Sequence, residues 1–332
     1  MAYWSPEDGV ATVHAPAGTI NRSGVDNMEA RTLPGSTGRF DHLWEQVAFP
    51  YIAETDVLWT LMGSGPVLHP GKKHVMVIHD INFLLLPGLF SAAFRSWYWM
   101  ACAEAGKRAD VVVCFTEYVR QSLIDRLHIS GDRIRVISQG PGLDGIANAD
   151  TVMRPAEEQP YFLCVGSMQP HKNLAVMLEA WDRFRERYPY FQLKVVGRKQ
   201  AGFSHLNVNM NQDLPGVEFT GYVDDAALIA LYKGATGFVY PSSEEGFGLP
   251  VVEAFYCSCP VVTSNRSCLP EVAGDAALFV EPTDAGAIEA AMIDLVQSGE
   301  LRQQLKEKGR QRAELYDWSV AGRHMAEILR SV

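Results

Sequence analysis

Tyr240-Pro-Ser-Ser-Glu-Glu-Gly-Phe-Gly-Leu-Pro-Val-Val-Glu-Ala254 decides the fold. The apolar run Gly237–Pro241 leads into it as a strand, and Pro250–Tyr256 leaves it as a helix, with two glycines in the turn between. A strand, a glycine-rich turn and a helix form the unit of a parallel α/β sheet, because a parallel partner is reached only by a crossover. Pro250 suits the first helical position, where its missing N–H would be unpaired anyway. Gly246 and Gly248 let backbone amides approach a ligand, and the helix start offers free N–H groups and a positive dipole end. The segment reads as a phosphate seat.

Outward from it the same alternation continues. Strands are expected at Tyr161–Gly166, Phe191–Gly197, Val217–Thr220, Cys259–Thr263 and Ala277–Val280, with helices over Asn173–Tyr188, Ala226–Tyr232, Ala285–Gln297 and Leu301–Tyr316. Upstream, Asp56–Leu61, His74–His79, Asp110–Phe115 and Arg133–Ser138 read as strands, and Ser91–Gly106 and Glu117–His128 as helices. Gln139-Gly-Pro-Gly-Leu-Asp-Gly145 breaks the pattern, and the loose stretch after it, up to Pro160, is the linker. The fold class is therefore α/β with two layered domains. Ligands in such sheets bind beyond the carboxyl ends of the strands, and the cleft between two such domains is the expected site.

Composition sets limits. The 332 residues are 47% hydrophobic and 20% charged with a net charge of −10, which excludes disorder, collagen and a small disulfide scaffold. Residues 1–150 carry 12 Lys+Arg against 16 Asp+Glu, so no basic face argues for nucleic acid. The longest uncharged apolar stretch, Ile81–Phe94, is 14 residues with a Pro and a Gly inside, short of the roughly 20 that a membrane span needs. Met1–Gly9 holds two acids and no base, unlike a secretory signal. The six cysteines sit mostly in apolar runs and read as buried reduced thiols, which points to the cytoplasm. Cys257 and Cys259 lack the second Cys/His pair of a zinc site, so no metal is expected.

Two carboxylates bracket the phosphate seat. Glu245 lies on the loop and Glu253 in the expected first helical turn, where hydroxyl pairs of a sugar could donate to them. The bland alternative is a solvated loop charge and a partner for the helix dipole.

Glu245 to Glu253, with its Gly-Phe-Gly-Leu-Pro filling, resembles the donor motif of retaining nucleotide-sugar glycosyltransferases of the GT-B fold, family 4 (group 1). Tyr161-Phe-Leu-Cys-Val-Gly-Ser-Met-Gln-Pro-His-Lys-Asn-Leu174 is similar to the opening of that family's donor domain. Gly216-Val-Glu-Phe-Thr-Gly-Tyr-Val-Asp-Asp-Ala-Ala-Leu228 is similar to its nucleobase-facing loop. Val77-Ile-His-Asp80 and Ala109-Asp-Val-Val-Val-Cys-Phe-Thr-Glu117 match in the first domain. The resemblance runs collinearly over about residues 40–330.

The resemblance implies a GT-B architecture of two Rossmann-like domains facing a cleft. An N-terminal acceptor-side domain would span 1–145, a donor-binding domain 156–315, and a C-terminal helix over 316–332 would cross back to the first domain and strap it. It implies that Glu253 holds the ribose hydroxyls and that Glu245 and His79 lie by the transferred sugar. The amides of Gly246, Phe247, Gly248 and Leu249 would line sugar and phosphate, and Tyr222 and Val223 would face the base. Lys172 would pair the diphosphate, with Arg198 as a second cation. Taken alone, His79 reads as a satisfied core residue and Lys172 as a solvated surface lysine.

The chain departs from the family pattern at Ser167 and His171, where arginines are commoner, and at Ser138-Gln-Gly-Pro-Gly142 in the linker. The first domain is also short. The usual opening strand and glycine turn have only Ala11–Pro16 with Ala17-Gly18, or Pro34-Gly-Ser-Thr-Gly38, to stand for them. Phe90, Phe94, Trp97, Tyr98 and Trp99 read as aromatic core packing, with peripheral membrane contact as the other reading. Asp224 reads as a helix N-cap.

The expected activity is retaining, metal-independent transfer of a hexosyl unit to a glycan or lipid-linked glycan in polysaccharide or glycoconjugate synthesis. The donor would be a nucleotide diphosphate sugar such as GDP-mannose or UDP-glucose, with no cofactor besides it. A nucleotide-sugar epimerase of GT-B-like fold and a non-catalytic donor-binding protein are the alternatives.

Overall fold

The computed structural model describes residues 11–16, 28–33, 45–47, 49–143, 145–146, 159–167, 169–197 and 214–332. The chain divides into two compact units, Met1–Gln139 with Trp318–Val332, and Gly140–Asp317.

In the first unit, β1 (Ala11–Pro16) pairs in parallel with β2 (Met28–Leu33) in a two-stranded sheet of its own. Ala11–Pro16 thus forms a strand but does not extend the main sheet. Pro34–Gly38 and Gly18 lie outside the described residues. The main sheet has four parallel strands in sequence order: β3 (Val57–Thr60), β4 (Lys73–Val77), β5 (Val111–Cys114) and β6 (Ile134–Val136). Alternate residues feed opposite faces, as a two-residue period requires. Met76, Val112 and Cys114 join one cluster, and Val75, Val77, Val111 and Val113 another.

The expected Ser91–Gly106 helix is α1 (Ala92–Tyr98), capped by Ser91 and running through a π-helical stretch at Trp99–Glu104 into a last turn at Ala105–Arg108. Phe90, Phe94 and Tyr98 stack along it at 5.2 and 4.6 Å, and Phe90 and Tyr98 pack on the core. These rings, with His79 and Asp80, line a pocket of about 190 Å³. Next comes α2 (Glu117–Leu127), capped by Thr116, which buries Val119, Leu123 and Leu127.

The second unit has six parallel strands: β7 (Tyr161–Val165), β8 (Gln192–Val196), β9 (Val217–Gly221), β10 (Gly237–Tyr240), β11 (Val261–Ser264) and β12 (Ala277–Val280). Their order across the sheet is β12-β11-β10-β7-β8-β9, so the direction of winding reverses between β7 and β10. The longer helices are α3 (Leu174–Arg187), α4 (Asp225–Gly234), α5 (Leu249–Tyr256), α6 (Ala285–Gln297) and α7 (Gly299–Ala313). One face packs Phe162, Leu193 and Val195 under Trp181 and Phe184 of α3 and Ile288 and Met292 of α6. The other packs Tyr161, Leu163 and Phe238 under Ile229 of α4 and Val251 and Phe255 of α5.

Gly166 and Gly197 follow β7 and β8, and the backbones there nearly touch: a Cβ on Gly197 would lie 2.0 Å from Gly166 O. No side chain fits at Gly197.

The chain then returns to the first unit as α8 (Trp318–Ser331). Its Ala321, Met325, Ile328 and Leu329 cover the face formed by Val75, Val77, Val111 and Val113. Among the described residues no helix is long and apolar enough to cross a membrane.

Candidate active site

The reversal between β7 and β10 opens a crevice at their carboxyl ends, and the chemistry-bearing side chains of the second unit gather there. Lys172 closes a short turn, Pro170–Lys172, after β7. Asn173 follows with φ 53°, and its side-chain amide donates to Pro241 O at 2.9 Å and to Ser243 Oγ at 2.5 Å, tying this turn to the loop after β10. The loop is held from the other side as well: Ser243 N donates to His171 O at 2.8 Å and Glu245 N to Ser267 Oγ at 3.2 Å.

This frame brings Lys172 and Glu245 together. Lys172 Nζ donates to Glu245 Oε1 and, at 2.8 Å, to the Tyr240 hydroxyl; that hydroxyl donates to the same Oε1 at 2.6 Å. Both charged side chains are largely buried, with 18% and 13% of their surface exposed. Lys172 is therefore not the solvated surface lysine of the bland reading. His171 is buried beside them, and its Nδ1 finds no hydrogen-bond partner among the described residues. Burial, and then the neighbouring Lys172 charge, bring its imidazole down to about 4, so it is neutral.

The glycine turn differs in detail from its sequence reading. Gly248 is the N-cap of α5 with φ 88°, a left-handed conformation that a Cβ would strain, and a Cβ would also meet Leu269 Cδ2 at 2.7 Å. The helix begins at Leu249, so Pro250 is second and Glu253 lies beyond the first turn. Pro250 brings no N–H and Val251 N donates to Gly248 O at 2.9 Å, so the seat offers fewer free amides than its sequence suggests. Phe247 is buried edge-on against Tyr316 at 5.5 Å.

Glu253 points inward. Only 6% of it is exposed; the Tyr232 hydroxyl donates to its Oε2 at 3.3 Å and the Gly142 N–H also bonds to it. Burial pushes the carboxyl up to about 7 despite those two donors, far from a simple dipole partner at a helix start.

Tyr222 is 71% exposed just after β9, and Val223 packs against the core. Asp224 caps α4 by accepting from Ala227 N at 2.8 Å. Arg198 lies outside the described residues. His79 belongs to the first unit, two residues past the end of β4, and is exposed, unlike a satisfied core histidine; its Nε2 is 2.7 Å from Leu61 O and its ring 4.9 Å from Phe115. Sequence reasoning missed Tyr240, Tyr232 and Gly142. Tyr240 carries the clearest signal: a tyrosine is the last residue of the strand that feeds the glycine turn.

Residues 37–142 match the family described as Glycosyltransferase Family 4, and residues 148–312 that described as Glycosyl transferases group 1. O-antigen chain mannosyltransferase B of Escherichia coli is 30% identical over 260 residues, 75% of this chain and 68% of that protein. The chain belongs to glycosyltransferase family 4. Another relative of this glycosyltransferase is the serotype-specific mannosyltransferase WbdA of E. coli, 28% identical over 261 residues, of whose length the alignment covers 32%.

Among solved structures, the glycosyltransferase aligns with WaaG, described as involved in lipopolysaccharide biosynthesis, at a TM-score of 0.65 and 18% identity, over 91% of this chain and 87% of that one. It aligns with Anabaena Alr3699/HepE, solved in complex with UDP, at a TM-score of 0.71 and 16% identity, over 92% and 86%. These are GT-B glycosyltransferase folds, and the α/β fold with two Rossmann-like sheets is theirs.

Proposed function

We propose that this glycosyltransferase moves a hexosyl unit, mannosyl or glucosyl, from a nucleotide diphosphate sugar to a glycan or lipid-linked glycan, with retention at the anomeric carbon and without a metal ion. The observation that carries the reading is the buried pairing of Lys172 with Glu245 at the reversal of the sheet. A cation fixed there meets the charge that builds on a departing diphosphate, which stabilises the transition state more than the ground state. A carboxylate beside it accepts from sugar hydroxyls. The mannosyltransferase relatives support a hexose, with mannose first. Glu253 takes the ribose hydroxyls in this reading, exchanging its present donors for them. A cytoplasmic setting belongs to the same reading, with six buried cysteines that form no disulfide among the described residues as its support.

The test is transfer from GDP-mannose and from UDP-glucose to a panel of glycan and polyprenyl-linked acceptors, with the product's anomeric configuration read by NMR. Wild type should give an α-linked product from one donor, and Lys172→Ala and Glu245→Ala should each lose at least about a hundredfold in turnover while still folding and unfolding cooperatively, at a melting temperature lowered by the loss of the buried pair. Near-normal turnover in both variants, or inversion at the anomeric carbon, would sink the assignment.

A further inference from the structure

The donor-site reading leaves the hydroxyl of Tyr240 without a role. Building on that reading, we propose that Tyr240 is a positioning residue: its hydroxyl fixes Oε1 of Glu245 and steadies Lys172, so that the second oxygen of Glu245 is presented to the hydroxyls of the transferred sugar.

The geometry sets one ring with few rotamers against two longer side chains. The Tyr240 ring is 3% exposed, ends a central strand and stacks on Phe238 at 5.6 Å, and its backbone carbonyl accepts from Thr263 Oγ1 at 3.0 Å. Lys172 and Glu245 carry longer side chains with several rotamers each, and one of them sits on a loop. Tyr240 links the two: it accepts from Lys172 Nζ at 2.8 Å and donates to Glu245 Oε1 at 2.6 Å. Both donors converge on Oε1, and Oε2 takes no hydrogen bond among the described residues. Burial and the adjacent carboxylate raise the phenol well above its usual range, so the hydroxyl keeps its proton and remains a donor.

Charge explains why a neutral group is needed. Lys172 and Glu245 neutralise each other. A bound nucleotide sugar draws the lysine toward phosphate and the carboxylate toward sugar hydroxyls, which weakens their direct bond. A hydroxyl with one proton to donate and lone pairs to accept can hold both groups through that change. It does so without adding charge that competes with the diphosphate.

Tyr240→Phe removes one oxygen and keeps the buried ring. Its affinity for GDP-mannose and UDP-glucose, and for GDP and UDP alone, is measured by calorimetry beside Glu245→Gln and the double variant, with melting temperatures throughout. The expected result is about a tenfold loss for the nucleotide sugar that binds wild type, less than threefold for its nucleoside diphosphate, and an unchanged melting temperature. In the Glu245→Gln background the same substitution should cost less than threefold, the part that remains being its bond to Lys172, since the hydroxyl acts mainly through that carboxylate. An equal loss for sugar nucleotide and diphosphate, an additive cycle, or wild-type affinity would each overturn the proposal. If Glu245→Gln itself binds like wild type, or wild type binds neither nucleotide sugar, the donor-site reading fails as well, which distinguishes the two failures.

Discussion

Glu253 shows how one residue can set a pH dependence. Its carboxyl is raised to about 7 in the folded protein against 4.5 for an unperturbed glutamate. Between those values the native state holds a proton that the unfolded chain has released, so this group's contribution to stability declines as pH rises through that window. Glu253→Gln removes the decline. The melting-temperature difference, variant minus wild type, should therefore be more positive at pH 8 than at pH 5; a pH-independent difference would place the proton elsewhere. The same group predicts proton release on donor binding near neutral pH, because hydroxyls donating to the carboxylate favour its ionised form. The heat of binding would then change with the ionisation enthalpy of the buffer.

At the scale of elements, the turn into α5 depends on one backbone conformation. Gly248→Ala forces a side chain into φ 88° and against Leu269, which should cost about 1–3 kcal/mol, read as a shift in the denaturant midpoint at unchanged slope. The elements themselves are legible where local chemistry marks their ends. Asp284 caps α6 through Ala287 N at 3.0 Å, and Ala285–Gln297 is read to the residue; β12 likewise. Apolar spacing alone starts α7 at Leu301, two residues late, because the Ser298 cap on Leu301 N begins the helix at Gly299. Ser91–Gly106 reads as one regular helix since its apolar spacing holds, yet no composition signal announces the π-helical stretch at Trp99–Glu104. The site divides in the same way. Glu245 and Glu253 stand out through their spacing around the glycine turn, whereas Lys172, which alone reads as a surface lysine, is singled out by the family resemblance. The Tyr240 bridge and the Gly142 bond to Glu253 join residues far apart in sequence, and only the packed sheet brings them together.

For the whole molecule, the decisive feature is that the first unit is discontinuous. One face of its sheet, Val75, Val77, Val111 and Val113, is covered by α8 from the far end of the sequence. Truncation after Asp317 should expose that face, so the shortened protein should aggregate or bind a hydrophobic dye, while Gly140–Asp317 keeps its own cores. A truncated chain that stays monodisperse with an unchanged melting profile would show that α8 is dispensable. The arrangement also fixes an order of events on the ribosome. The second unit is contiguous and can close while translation proceeds, but the first, although made earlier, waits half-covered until synthesis has passed Ser331. For that interval its bare valine face is a natural client for a chaperone, and slowing translation between the two units should lower soluble yield more than slowing it within either.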